Sequence, residues 1–306
     1  MKHLKAVFAL ILALTLTLSA AALAAPTEDR AGNPIALADN IEKIVTLAPS
    51  TTQVLVALGM QDKIVAIDTY SAMYEPELAE LPQFDMMTPD VEQLAALEPD
   101  VVFITGMSLS GGDNPYEPLM QLGVQVVQIP SSNSIAAIQE DIRFIGDCLN
   151  ASDAAQALVD DMQAQIDEVA AIGATITEKK SVAIEVAALP YLCYAGGETY
   201  LNEMIELIGA VNAYGDQPAW ASVTEEAAVA VNPDVILTAI DYLPDPVDEI
   251  VNREGWGEVT AIANGDVYQI DAESANQPNQ NIVKALWEMA QAVYPEAFAA
   301  AEAKAA

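Results

Sequence analysis

The sequence predicts an α/β protein: two Rossmann-like lobes with mostly parallel sheets, joined by one long rigid helix. Three observations lead there. Short β-branched runs alternate with helical periods through the first half and again after about residue 176, as βαβ units of a parallel sheet do. Between them lies an amphipathic helical stretch with no Gly/Ser linker. Finally, one motif occurs twice, as "VEQLAALEPDVVFI" from Val91 and "TEEAAVAVNPDVIL" from Thr224. Glu92 and Glu226 stand 134 positions apart, and so do Pro99 and Pro233. A motif with an unchanged offset implies two copies of one architectural unit. The expected boundaries are 1–25 signal peptide, 26–150 N-terminal α/β lobe, 151–175 connecting helix and 176–306 C-terminal α/β lobe.

Taken in order, "MKHLKAVFALILALTLTLSAAALAA" carries Lys2 and Lys5, then an apolar run, then small residues. That is the pattern of a secretory signal cut after Ala24 or Ala25. A retained anchor fits less well, because Ser and Thr interrupt the run. No cysteine follows it, so no lipoprotein attachment site is expected, and the protein is read as exported to the periplasm or the cell exterior. Ile44 to Leu47 reads as a strand. A Pro-containing turn follows, then a helix beginning near Ser50 or Thr51 and closing at Gly59. "KIVAID" is a second strand. Thr88 and Asp90 are capping candidates for a helix that turns Val91, Leu94, Ala95 and Leu97 inward. "DVVFITG" is continuously apolar, as a strand covered on both faces should be. "YEPLMQLG" and "VQVVQIP" add a helix and a strand.

From Ser134 the pattern turns helical. The segment from Ala151 places Ala155, Leu158, Val159, Met162, Ile166 and Val169 at helical spacing. The α/β rhythm then restarts with "KKSVAIEVA", a helix closing on Gly209, the second motif copy and "NGDVYQID". "NIVKALWEMAQAVYP" closes the fold, and an Ala/Glu tail follows it.

Composition excludes several function classes. The net charge is −34, from 11 lysines and arginines against 45 acids. A nucleic-acid surface needs a basic face, and anionic lipid would repel this chain. A basic protein partner is permitted. The only histidine, His3, leaves with the signal. Ser-His and Cys-His nucleophiles are thereby excluded, as are histidine-bearing zinc or copper sites, so no catalytic and no metal residue is assigned. Cys148 and Cys193 lie in dissimilar contexts and read more readily as two separate thiols than as one bridge. Neither "SGGD" nor "AGGET" has the spacing of a nucleotide-binding glycine loop.

The stretch "DRAGNPIALADNIEKIVTLAPSTTQVLVALGMQDKIVAID", followed by "VEQLAALEPDVV", resembles the substrate-binding proteins of bacterial ABC importers. The branch is the one that takes iron-siderophore, haem and cobalamin, and the resemblance covers roughly Asp29 to Pro295. It implies a monomeric, non-enzymatic protein without a cofactor, holding its ligand between two lobes. It also implies that Glu92 and Glu226 dock onto arginines of a membrane permease. Trp220 matches a position that faces the ligand in cobalamin binders, and Tyr70 lies in the matching first-lobe loop. Where those binders carry a further first-lobe tryptophan, this chain has a methionine, at or near Met86.

Tyr191 and Asn276 lie in other loops beyond the carboxyl ends of strands, where open α/β sheets bind ligands. Tyr74, Met87, Tyr116, Tyr194 and Tyr242 are further candidates in such loops. Arg30, Arg143 and Arg253 are the only arginines, and anionic chelates ordinarily want such groups. The expected ligand is thus a near-neutral or cationic metal chelate, a corrinoid (cobalamin) or an iron-siderophore of hydroxamate type. Haem held through tyrosine stays open as an alternative. A carboxylate-based secreted hydrolase is the rival from another class, supported only by the abundance of acids.

Overall fold

The computed structural model describes residues 25–112 and 114–299. The expected signal peptide, apart from Ala25, and the end of the Ala/Glu tail lie outside the described residues.

The first sheet has the order β3-β2-β1-β4-β5, from β1 (Ile44–Leu47), β2 (Ile64–Asp68), β3 (Gln83–Phe84), β4 (Val101–Thr105) and β5 (Gln125–Ile129). Every pairing in it is parallel. The second sheet runs β11-β10-β6-β7-β9, from β6 (Ser181–Ala187), β7 (Cys193–Ala195), β9 (Trp220–Ser222), β10 (Val235–Thr238) and β11 (Val267–Gln269). Its short β8 (Val211–Asn212) pairs with β6. Here β7 is antiparallel to both β6 and β9, a departure from the first lobe. The cause is chain length. Residues 188–192 join β6 to β7, and a parallel crossover needs roughly a dozen residues or more.

Successive residues of a strand face opposite sides of the sheet. Ile44, Val101 and Phe103 on one side, and Val182, Ile184 and Leu237 of the second sheet, belong to one continuous buried core shared by both lobes. The other sides carry separate cores, built on Val45, Val102 and Ile104 in the first lobe and on Ala183 and Ile236 in the second. The shared core is filled by α3 (Ile135–Cys148), α4 (Ser152–Gly173) and the closing helix α7 (Ile282–Val293).

Helix α4 is the expected connector, at about 33 Å for its 22 residues. Its buried side is Ala155, Val159, Met162, Ile166, Val169 and Gly173, alternating steps of four and three. Two glycines let it pass close to its neighbours. A Cβ on Gly146 of α3 would stand 2.4 Å from the Ala155 Cβ, and one on Gly173 would stand 2.0 Å from the Leu207 carbonyl oxygen. Cys148 is buried beneath these helices and Cys193 sits on β7, both unpaired. Burial pushes the Cys148 thiol up to about 12.

The repeated motif folds the same way twice. Helix α2 (Val91–Ala96) is capped by Asp90, which accepts from Gln93 N–H at 3.0 Å. Helix α6 (Glu225–Val231) is capped by Thr224, which accepts from Ala227 N–H at 3.3 Å. Glu92 and Glu226 are each the second residue of their helix. Each unit then turns through a left-handed residue, Glu98 (φ 51°) and Asn232 (φ 50°), also 134 positions apart.

Candidate ligand cavity between the lobes

Five parallel strands end on one side of the first lobe, and the segments leaving them build one wall of a cavity of about 530 Å³. After β1 comes Ala48, then α1 (Pro49–Ala57), whose first turn lines the cavity with Pro49, Ser50 and Thr51. Pro49 occupies the first helical position, and no side chain caps the leading N–H groups of the helix. After β2, the buried Asp68 accepts from Tyr70 N–H (2.8 Å) and Ser71 N–H (3.0 Å) and bonds the Ser71 hydroxyl. That turn carries Tyr70 and Tyr74 to the lining. After β3, Asp85 accepts from Met87 and Thr88 N–H, both at 2.8 Å, and these bonds hold its carboxyl below the ordinary range. Met86 and Met87 follow it into the wall, and Thr105, Met107 and the run Ile129 to Ser132 come from the ends of β4 and β5.

The second lobe contributes Tyr200, Trp220, Asn276, Gln277 and Pro278. Trp220 begins β9 and is half exposed. The residue before it, Ala219, has φ +43°, a conformation that L-residues adopt only under constraint. Asn276 donates its amide to the Ala239 carbonyl at 2.8 Å. Tyr200 donates to the Ala275 carbonyl at 2.7 Å, tying α5 (Tyr200–Leu207) to the segment that bears Asn276. Behind the cavity the lobes are bonded directly. Gln53 of α1 is buried against Glu273 and Asn279, the latter donating to its side-chain oxygen at 2.5 Å.

Tyr70, Met86, Trp220 and Asn276 therefore meet at one cavity, joined by Tyr74 and Met87. Tyr191 does not. Its N–H closes a turn onto the Ala188 carbonyl, and its side chain is 83% exposed outside the lining. Tyr242 is also outside, its hydroxyl accepting from Ala188 N–H. Two further expectations are corrected outright, because both rings are core. Tyr116 is fully buried and donates to the Met86 carbonyl, which shapes the wall from behind. Tyr194 stacks on Tyr214 at 4.4 Å and donates to Glu185. Thr105, Ser131, Ser132, Asp141 and Gln277 were not singled out from sequence. Asp141 did carry a signal: it is a charge on the buried stripe of α3, between Ile138 and Ile142.

Among the described residues, no lysine or arginine lines the cavity, and its charged residues are Asp85 and Asp141. The arginines are engaged elsewhere. Arg253 is buried, bidentate to Glu185 at 2.7 Å for both bonds, and packed over Trp256. Arg30 pairs with Asp141 and Glu140, and Arg143 donates to Gln156. Glu92 and Glu226 are exposed, each in the first turn of a helix that follows a wall-forming segment. Neither belongs to the lining of the cavity.

A family model described as periplasmic binding protein matches residues 44–274. The chain belongs to that family. This binding protein is 30% identical over 273 residues to the "Uncharacterized ABC transporter substrate-binding lipoprotein YvrC" of Bacillus subtilis, covering 89% of this chain and 86% of the relative. It is 28% identical over 282 residues to the "Cobalamin-binding protein" of Halobacterium salinarum, covering 87% and 73% of the two chains. Among solved structures, a possible iron-binding periplasmic solute-binding protein from Staphylococcus epidermidis superposes with a TM-score of 0.74 at 25% identity, covering 84% of this chain and all of that one. The Bacillus protein is named a lipoprotein, whereas the cysteines of this binding protein are Cys148 and Cys193, far from the apolar run.

Proposed function

We propose that this protein is the substrate-binding component of an ABC importer and that its substrate is a corrinoid of the cobalamin type. The observation that carries the reading is the cavity itself: about 530 Å³, walled by Trp220, Tyr70, Tyr74 and three methionines, with hydroxyls, amides and the carboxylates Asp85 and Asp141 as its polar side chains and, among the described residues, no cation. A large, near-neutral macrocycle with peripheral amides suits such a wall, because aromatic faces cover its plane and the small polar groups meet its rim. Relatives named as cobalamin- and vitamin B12-binding proteins support the same choice. Haem fits less well, since its propionates would face Asp85 and Asp141, and burial raises the Tyr74 hydroxyl, making it a poorer iron ligand.

In this reading the lobes at 26–150 and 176–306 close on the ligand about the connector at 151–175. Glu92 and Glu226, one exposed on each lobe, engage a basic permease at two points. The protein acts by capture and delivery and performs no reaction. Fluorescence titration with cobalamin, haem and a ferric hydroxamate tests the substrate. Saturable quenching by cobalamin is expected, and binding of another chelate with none of cobalamin would overturn it.

A further inference from the structure

Three side chains at one end of the cavity form a chain of charge-assisted bonds that leads outward to the N-terminal segment. Arg30 donates from Nε to Asp141 Oδ1 at 2.6 Å and from Nη2 to Glu140 at 3.0 Å. The Ser132 hydroxyl bonds the other Asp141 oxygen, Oδ2, at 2.5 Å. Asp141 is buried, and both it and Ser132 line the cavity. Arg30 is held in place by its neighbour Asp29, a buried acid that accepts from Ala31, Asn33 and Gln128 N–H. The strap of residues around Arg30 is thereby bolted to β5 at Gln128, four residues before Ser132.

The chemistry of this chain is directional. A guanidinium only donates, and a carboxylate paired with it only accepts. The serine has one hydroxyl proton, so that proton points to Asp141 and its lone pairs are left for the cavity. We propose that Arg30, acting through Asp141, fixes Ser132 as a hydrogen-bond acceptor, so that this end of the cavity reads N–H donors of the ligand and turns away carboxylates. Ser132 is the specificity-determining residue, and Arg30 and Asp141 are positioning residues. A ligand carboxylate placed there would meet oxygen lone pairs and the Asp141 charge. A ligand primary amide would donate to Ser132, with Thr105 and Ser131 (hydroxyls 3.5 Å apart) beside it to complete its contacts. The choice of a peripheral amide as the group recognised rests on the corrinoid reading above, but the orientation of Ser132 does not.

Two measurements separate these. Without any ligand, the Asp141 carboxyl is titrated by carbon-13 NMR in the wild type, Arg30→Gln and Ser132→Ala. Each substitution removes a donor from one oxygen, so the midpoint should rise in both variants; an unmoved midpoint in both overturns the relay. With ligand, the probes are cobalamin and a cobalamin monocarboxylate in which one peripheral amide is hydrolysed. The wild type should bind the acid roughly tenfold or more weakly than the amide, and that ratio should shrink in Ser132→Ala and in Arg30→Gln. An equal ratio in all three proteins overturns the specificity role. If cobalamin does not bind while the NMR midpoints shift, the relay stands and the corrinoid reading alone falls.

Discussion

The Asp100 carboxylate accepts hydrogen bonds from the backbone N–H groups of Glu42 (2.7 Å) and Lys43 (2.9 Å), and Asp234 repeats this in the second lobe, accepting from the N–H (2.8 Å) and hydroxyl (2.9 Å) of Ser181. Each aspartate also gives its own N–H back, to the carbonyl of Lys43 or Ser181. The Pro-Asp of the repeated motif thus pins the start of the central strand in each sheet. The glutamates of the same motif are exposed, and the bonds that lower the Glu226 carboxyl are local ones, to its own backbone N–H and to the Thr224 hydroxyl.

Removing either pin should cost stability. Asp100→Ala and Asp234→Ala are each expected to destabilise by about 1 kcal/mol, a charge-assisted bond discounted for its partial exposure. Backbone N–H bonds hold the Asp100 carboxyl below its ordinary 3.8. Its contribution is present above that value and is lost as pH falls through the lower folded value. Urea denaturation at pH 7 checks the magnitude, and convergence of wild type and variant in acid checks the sign.

Charge reversal at the other half of the motif should spare both fold and capture. Glu92→Lys and Glu226→Lys are expected to keep the wild-type Tm and ligand affinity while uptake falls, and the double reversal should be worse than either. Uptake assays beside binding titrations on the same proteins decide, and full transport by the double variant would leave the repeat purely architectural.

Of the three tryptophans, Trp220 alone lines the cavity. Trp256 is buried in the second-lobe core and Trp287 packs edge-on against Phe298. Trp220→Ala should weaken binding of cobalamin by roughly 1–3 kcal/mol if the ring stacks on the macrocycle, and should abolish the ligand-dependent change in fluorescence. A quench that persists in the variant would place the ligand elsewhere.

The core shared by the lobes and the unbroken α4 limit how far they can part. X-ray scattering with and without ligand should show a change in radius of gyration under about 1 Å. A closure of several ångströms would contradict the continuity of that core.

Glu75 stands near the junction of the lobes. Burial, then the hydrogen bond and charge of Glu77 and the charge of Glu273, push its carboxyl up from 4.5 to about 7. Between those values the folded protein holds a proton that the unfolded chain has released, so stability falls as pH rises through that window. Glu75→Gln should therefore gain in Tm over the wild type on going from pH 5 to pH 8. A difference that stays level across that range would remove Glu75 as the source.

Much of the fold was legible because its signals are local. The apolar runs at Ile44 and Val101, the cap at Asp90 and the left-handed glycines Gly59 and Gly209 each declare an element within a few residues. The antiparallel β7 was missed because a three-residue strand after a tight turn has no period to read. At the site, a tyrosine in a loop looks alike whether its ring faces a ligand or a core. Tyr70 and Tyr116 are told apart only by what packs on them, and the latter finds its partner 30 positions away. The pairing of Arg253 with Glu185 spans 68 positions with no motif between them, so an apparently free cation proved to be a buried strut.

The absence of cations from the cavity wall among the described residues, on a molecule of net charge −34, has a kinetic side. A near-neutral chelate gains nothing from the long-range field, so its capture rate should be indifferent to ionic strength. Under the proposed docking, the loaded protein meeting a basic surface would be in the opposite position: attraction would hasten that encounter, and salt would shorten its reach to about 8 Å at physiological strength. One molecule would then make two successive associations, the first blind to salt and the second slowed by it.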